Sequence, residues 1–212
     1  MTPGRLRALL LAALVLAYAL LEHYTNVAAA PPGLGAALAI APLLGALLLL
    51  AHRTQRPWLA PLLLALAATA VLLRFWGELE HHFSWLYLLQ QCATYLALAG
   101  TFGRSLLPGR VPLCSRWAAM IHGPLTEDVR RYTRSVTLAW TAFFAAVMLL
   151  SAVLYAAAPR SFWSLFANFL VLPLAALLFA CEYALRRRCL PSTPRATLGQ
   201  MLRVYLADTR RP

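Results

Sequence analysis

The sequence contains no lysine, so all 19 of its basic residues are arginines, and only 7 residues are acidic. Charged residues make up 12% of the chain and hydrophobic residues 61%, with a mean hydropathy of +0.67. A domain of 212 residues cannot cover a water-exposed surface with so few polar side chains. This scarcity of charge excludes an ordinary soluble enzyme and predicts that apolar surface is buried in lipid.

Paired cysteines are missing as well. The chain has no C-x-x-C pair and no histidine at metal-ligand spacing beside its four single cysteines, Cys92, Cys114, Cys181 and Cys189. We therefore expect no disulfide framework, no zinc site and no cofactor. The net charge of +12 would suit nucleic acid only if the arginines gathered on one water-exposed face. They separate apolar runs instead, so we expect no nucleic-acid partner.

Apolar runs divide the chain into segments close to the roughly 20 residues that a helix needs to cross about 30 Å of hydrocarbon. Lipid offers no partner for an open backbone, and the runs are apolar on both faces, so helices are expected rather than barrel strands. We predict an all-α, polytopic transmembrane helix bundle that forms one integral membrane domain over residues 1–212. Its six spans are Leu6–Leu21, Leu34–Ala51, Trp58–Leu73, Phe83–Phe102, Val136–Ala158 and Phe162–Tyr183.

The arginines fall unevenly on the two sides that these spans define. All but Arg74 and Arg160 lie on one side, mainly in a basic loop, 103–135, and a basic tail, 184–212. The positive-inside rule makes that side cytoplasmic, so both termini are predicted to be cytoplasmic. The abundance of Ala, Leu, Arg and Pro is typical of GC-rich bacterial coding. We therefore expect a multi-pass protein of the bacterial cytoplasmic (inner) membrane.

The N-terminus resembles a secretory signal, because MTPGRLR precedes an apolar run and the small residues of VAAAPP. Glu22, His23 and Pro31 stand between or beside these features and argue against cleavage. The apolar run is also long for a signal peptide. We therefore expect the first span to be retained.

The basic loop is predicted to contain a helix in the membrane interface. Pro108, Gly109 and Pro112 prevent the preceding span from continuing as a helix. In the following CSRWAAMIHG, apolar residues recur at helical spacing, with Trp117 and Ile121 as the expected interfacial anchors. Gly123 and Pro124 end this segment, and the stretch EDVRRYTRSVTLAW then enters the fifth span.

Arginines in this loop have two possible roles. They can bind anionic lipid headgroups, at about 1 kcal/mol each near the surface. They can also form a docking patch for an acidic soluble protein, or for an acyl or phosphate group that it carries. The candidate partner-binding residues are Arg104, Arg110, Arg116, Arg130, Arg131 and Arg134.

Polar side chains within the spans are few. Gln90, Gln91 and Asn168 can hydrogen-bond between helices. Pro173 removes a backbone donor and frees the carbonyl of Phe169, so this helix is predicted to be kinked. The same three residues are the obvious members of a polar transport path. Three residues are few for such a path, so a transporter or export component is an alternative function.

Two other groups of residues could carry chemistry. The spacing of His122 and Glu127 is similar to the H-x-x-x-x-D of glycerolipid acyltransferases, in which the acid orients the histidine as a general base. The loop is too short for the soluble domain of those enzymes, so we expect a structural histidine. On the opposite side we expect a solvated loop, although carboxylates and imidazoles there could bind a divalent metal or relay protons. These residues are Glu22, His23, Glu78, Glu80, His81 and His82.

The run FGRSLLPGRVPLCSRWAAMIHGPLTEDVRRYTRSVTLAW, followed by WSLFANFLVLPL and EYALRRR, carries a family resemblance. Over 86–188 the chain resembles small uncharacterised bacterial polytopic inner-membrane proteins. Their genes lie in clusters for aryl polyene or xanthomonadin-type pigments, beside acyl carrier proteins, ketosynthases and other fatty-acid-like enzymes. Members are sometimes labelled ketosynthase, but this sequence has no thiolase-like domain and no Cys with two His in a plausible site.

The resemblance implies a specific acidic partner, because acyl carrier proteins are strongly acidic. We therefore expect a non-catalytic membrane accessory protein of aryl-polyene or fatty-acid-like lipid biosynthesis. It would recruit the acyl carrier protein or ketosynthase-type enzymes to the cytoplasmic membrane face. A transporter for a lipid-linked product and a membrane-bound acyltransferase that uses His122 and Glu127 are the alternatives.

Overall fold

The computed structural model describes residues 3–27, 33–53, 70 and 74–189. Within these residues all regular secondary structure is helical, which confirms the all-α prediction. The helices are α1 (Pro3–Val27), α2 (Leu34–Arg53), α3 (Trp76–Ser105), α4 (Leu113–His122), α5 (Glu127–Ala157), α6 (Arg160–Leu165) and α7 (Val171–Cys189). A π-helical turn, Phe166–Leu170, joins α6 to α7.

Two helical runs in the described part are long and apolar enough to cross a membrane, by length and composition. They are Glu127–Ala157, with a mean hydropathy of 2.1, and Arg160–Cys189, with 2.2. The apolar helix Leu34–Gly45 is shorter. The other predicted spans within the described residues also coincide with helices, whereas Trp58–Leu73 lies outside them apart from residue 70. The six-span count and the cytoplasmic termini stay predictions.

Helix α3 is interrupted near its start. His82 has φ −124° and ψ 20°, which are not helical values, so two helical pieces meet there. The turns before this kink carry Glu78 and the exposed His81. These polar residues lower the hydropathy of the helix, although its later part coincides with the predicted fourth span.

Contacts divide the described residues into two compact units. The first unit takes those of Met1–Gln91 and Ser151–Val171. In it, α1 packs against α2, α6 and the π-helical turn. Gly35 allows a close approach, because a Cβ atom there would lie 2.7 Å from the ring of Phe83. Trp163 is fully buried.

The second unit takes the described residues of Cys92–Leu150 and Leu172–Pro212. Its core is aromatic, with Phe102, Leu113 and Trp140 buried together. The ring of Phe144 lies 5.5 Å from that of Trp140 and 5.4 Å from that of Phe102, centroid to centroid. Such ring pairs add about 0.5 to 1.5 kcal/mol each beyond their buried area. Leu113 anchors the first turn of α4 in this core.

Candidate functional site

The six arginines of the loop are all exposed and all belong to the second unit. Together they are here called the basic surface: Arg104, Arg110, Arg116, Arg130, Arg131 and Arg134. Arg104 ends α3, Arg110 lies in the following connection and Arg116 in α4. The other three occupy the first turns of α5. The loop therefore presents its charge from structured elements.

Helix α4 is held in place by hydrogen bonds at its first residues. The backbone N–H of Leu113 donates to Ser105 Oγ at 3.0 Å, and that of Cys114 donates to Thr137 Oγ1 at 3.2 Å. One turn of α5 away, the hydroxyls of Ser115 and Thr133 lie 2.6 Å apart. These bonds join α4 to the end of α3 and to α5. The backbone positions from which the arginines of these helices extend are thus held relative to one another.

The predicted interfacial anchors, Trp117 and Ile121, are both half-buried. The Trp117 ring packs edge-on against Phe102, at 5.9 Å between centroids, so it contributes to the protein core. The exposed apolar side chains near the arginines are Leu107, Val111 and Met120. These three side chains are therefore the ones available to enter a membrane interface.

Few of the arginines on the basic surface are neutralised. Arg131 forms an ion pair with Glu127 at 3.4 Å, with both side chains exposed, and such a pair contributes little. Arg134 Nη2 donates to the backbone carbonyl of Leu106 at 3.3 Å, which leaves its charge unbalanced. Among the described residues no carboxylate pairs with Arg104, Arg110 or Arg130. The surface therefore carries a net positive charge that suits an anionic partner.

A second group of polar residues, buried or half-buried, lies in the first unit and is here called the polar cluster: Glu22, His23, Ser164 and Asn168. His23 Nδ1 lies 3.0 Å from Ser164 Oγ. The Asn168 amide donates to the same hydroxyl at 3.2 Å and to the Ser164 carbonyl at 3.1 Å. Ser164 is fully buried, and Asn168 lies in the π-helical turn. The cluster therefore joins α1 to the turn.

Glu22 lies one residue beyond the predicted first span and belongs to this cluster. Burial raises the pKa of its carboxyl group above the ordinary range, and a hydrogen bond from Asn168 partly offsets this effect. The neutral form of a carboxyl group is favoured wherever water is excluded. Glu22 can therefore hold a proton at a higher pH than an exposed glutamate.

The other intramembrane candidates also hold helices together. Ser151 Oγ donates to Gln91 Oε1 at 2.6 Å and accepts from Trp163 Nε1 at 2.9 Å. Gln90 donates to the Ala39 carbonyl at 2.6 Å. Each bond joins two different helices of the first unit, so Gln90, Gln91 and Ser151 have a structural role in this arrangement.

No set of three metal-ligating side chains comes together in the described part of the chain. His23 contacts Ser164, while His81 and His82 are exposed, and Glu78 lies 4.0 Å from His82 on the helix surface. The side chain of Glu80 lies outside the described residues. The metal candidates within the described residues therefore do not converge.

The acyltransferase pair has no described geometry, because the side chain of His122 lies outside the described residues, and Glu127 pairs with Arg131. The described cysteines are free. Burial raises the pKa of the Cys114 thiol, which disfavours the thiolate that a nucleophile would need. Neither residue set supports a catalytic assignment.

Comparison with protein-family models, curated proteins and solved structures finds no match for this chain.

Several residues that shape the site were not predicted from the sequence, among them Ser151 and Ser164. A usable signal existed for α5, since Thr133, Thr137 and Thr141 recur every four residues and define one polar stripe along the helix. Ser164 had no such signal, because its partner His23 is distant in sequence.

Replacing Ser164 with alanine tests the polar cluster. The change leaves His23 Nδ1 and one Asn168 contact without their hydroxyl partner, so we expect the folded state to lose about 1 to 2 kcal/mol. Thermal unfolding of the protein in mild detergent measures the loss. Ser161→Ala, on the same helix, is the matched control and should change stability by less than about 0.5 kcal/mol. Equal losses in both variants would contradict the described contact.

Proposed function

We propose that the chain is a multi-pass protein of the bacterial cytoplasmic membrane. Leucines on its helices support this, because Leu14 and Leu172 are each 67% exposed and Leu89 is 65% exposed. Water would penalise so much exposed apolar surface, whereas the lipid interior accepts it. The helices also satisfy their own backbone groups, as spanning segments must.

The positions of the arginines support a cytoplasmic location for the basic surface. Helix α5 begins beside Arg130 and Arg131, and α7 carries Arg186, Arg187 and Arg188 in its last turn. If both long runs cross the membrane, the short connection around Pro159 returns the chain to the side from which α5 began. Both basic ends then share one side, which the positive-inside rule assigns to the cytoplasm.

On that face, the protein acts as a non-catalytic accessory protein that recruits an acidic soluble partner. The observation that carries this proposal is the basic surface itself: five exposed arginines on helices and one in a connection, of which Arg104, Arg110 and Arg130 pair with no carboxylate among the described residues. Complementary charge accelerates encounter and aligns the partner. Arg130, Arg131 and Arg134 form the centre of the docking surface because they follow one another on the first turns of α5.

The resemblance to proteins encoded beside aryl polyene enzymes makes an acyl carrier protein the proposed partner. Carrier proteins are acidic, and the acyl chain that they carry becomes less compatible with water as it lengthens. A basic membrane surface would bring carrier and chain to the bilayer. Ketosynthase-type enzymes that act on the same carrier are proposed to assemble there as well.

Removing the central charges tests this proposal. The triple variant Arg130→Ala, Arg131→Ala, Arg134→Ala should lose at least about 90% of the acyl carrier protein that co-purifies with wild type in mild detergent. This expectation follows from the loss of three of the six charges, each able to contribute on the order of 1 kcal/mol to an anionic partner. Quantitative mass spectrometry of proteins purified from the native host measures the ratio.

The control removes two arginines from the last turn of α7, Arg187→Ala and Arg188→Ala, on the same proposed side. Arg186 is left in place because it lies close to Tyr132 on α5. The control variant should retain most of the carrier, since it keeps all six arginines of the basic surface. Raising the ionic strength should weaken the wild-type interaction. An equal loss in the triple variant and the control would show that any cytoplasmic charge suffices, and no carrier with wild type would contradict the docking proposal.

A second candidate function, transport or export of a lipid-linked product, has support from the polar cluster. The cluster combines a half-buried carboxyl group, an imidazole and an amide at a π-helical turn. π-helical turns occur frequently at functional sites, and ionisable groups near the membrane interior commonly serve ion or substrate pathways. Glu22 and Asn168 would be the working residues of such a path.

The isosteric change Glu22→Gln tests the export candidate, because it removes the proton-binding group and keeps an amide able to bond Asn168. If the chain exports the product, lipid-linked polyene should accumulate several-fold in the inner membrane while total synthesis is unchanged. Fractionation of the two membranes with quantification of the pigment measures this. An unchanged distribution of the pigment between the two membranes, with normal protein abundance, would exclude export and leave recruitment as the one remaining candidate function.

A further inference from the structure

An open groove lies on the second unit at the end of α3. Its cavity volume is about 500 Å³, and its lining residues are Ala97, Gly100, Thr101, Arg104 and Arg110. The four lining residues on α3 are spaced by three, one and three positions, which places them on one face of the helix. The groove thus runs along α3 and ends between two arginines.

The floor of the groove is smooth and apolar. Ala97 and Gly100 contribute almost no side chain, and a Cβ atom on Gly100 would meet nothing within 4 Å. The hydroxyl of Thr101 donates to the Ala97 carbonyl at 2.7 Å, so it is occupied within its own helix. The floor therefore offers small and apolar surface for hydrocarbon, and the hydroxyl donor on it is already used.

The end of the groove is cationic. Arg104 and Arg110 are exposed, and no carboxylate among the described residues pairs with either. A guanidinium group presents several N–H donors in a planar fork, which matches the oxygens of a phosphate group. Two such groups at one end of an apolar groove are complementary to an amphiphile with an anionic head.

The position of the groove along the sequence also suits an amphiphile with an anionic head. The predicted fourth span ends at Phe102, so the groove floor covers its last turns and Arg104 lies just beyond them. In the proposed topology this level is the cytoplasmic headgroup region, where phosphates of the inner leaflet lie. Leu96 and Leu107, both exposed, extend the apolar surface on either side.

A packed helix is a less suitable occupant. Small residues at this spacing do allow helices to approach closely. However, a second helix laid along the groove would cover Arg104 and Arg110 with apolar surface, and charges deprived of water or a partner are costly. A lipid brings its own anion to that end and leaves the remaining positive charge in the hydrated headgroup region.

We infer that the groove is a binding site for one anionic phospholipid of the cytoplasmic leaflet. Its phosphate lies between Arg104 and Arg110, and the upper part of an acyl chain lies along Ala97, Gly100 and Thr101. The inference rests on the proposed membrane topology and deepens the account of the basic surface. A bound lipid occupies Arg104 and Arg110, which leaves the arginines at the start of α5 for a protein partner.

Two variants test the site from its two ends. The pair Arg104→Gln, Arg110→Gln removes both charges but keeps hydrogen-bonding side chains. Gly100→Leu places an apolar side chain on the floor, where the added Cβ meets nothing within 4 Å. Lipid binding is measured by native mass spectrometry of the purified full chain in mild detergent, titrated with phosphatidylglycerol and with phosphatidylcholine.

Wild type should bind one phosphatidylglycerol at least about tenfold more tightly than phosphatidylcholine, and each variant should lose most of that preference. The matched controls are Arg187→Gln with Arg188→Gln in the last turn of α7, and Gly45→Leu, where a Cβ atom also meets nothing within 4 Å. Both controls should bind as wild type does.

Three results would overturn the inference: no preference in wild type, an equal loss in the arginine control, or a preference unaffected by Gly100→Leu. The first two would show that the arginines act only as general surface charge. The third would show that the acyl chain of the lipid does not lie in the groove. Because purified protein and lipid suffice, the result does not depend on a carrier protein. Failure here and failure of recruitment are therefore distinguishable.

Discussion

Hydrogen bonds between helices are the constraint on which the packing of this chain depends. Apolar helix faces discriminate poorly among partners in lipid, because the lipid is as apolar as they are. Ser151 bridges Gln91 and Trp163 in the first unit, and the Ser115–Thr133 pair joins α4 to α5 in the second. No buried side-chain nitrogen or oxygen in the described residues lacks a partner. These few bonds select which apolar faces meet.

The two candidate activities lie in different units. In the second unit hydrogen bonds fix a short helix against α5, and the exposed arginines on these helices are the proposed contacts for lipid phosphate or an acidic protein. In the first unit a separate set of bonds, among His23, Ser164 and Asn168, lies beside Glu22, where exclusion of water favours the protonated carboxyl group. The proposed recruitment and lipid sites use fixed positive charge, whereas the export candidate uses a group that changes charge.

The helix boundaries could be predicted from the sequence because prolines and glycines mark the ends of the helices. Pro112 precedes α4, and Gly123 ends it with φ 75°, a conformation that favours glycine. Pro173 predicted a kink, and the irregularity is a π-helical turn just before it, where a proline cannot supply the usual N–H donor. Tertiary pairs such as His23 with Ser164 had no local signal. The Trp117 ring likewise joins a core that only the folded chain defines.

We propose above all that the bilayer is the solvent of this chain and that α5 crosses it with its arginine-rich end in the cytoplasm. Single cysteines at the two ends of α5, Thr126→Cys and Ala157→Cys, test it most directly in a variant whose four native cysteines are replaced. A membrane-impermeant maleimide added to intact spheroplasts should label Ala157→Cys at once and Thr126→Cys only after lysis. Labelling of both before lysis, or of Thr126→Cys alone, would contradict the account.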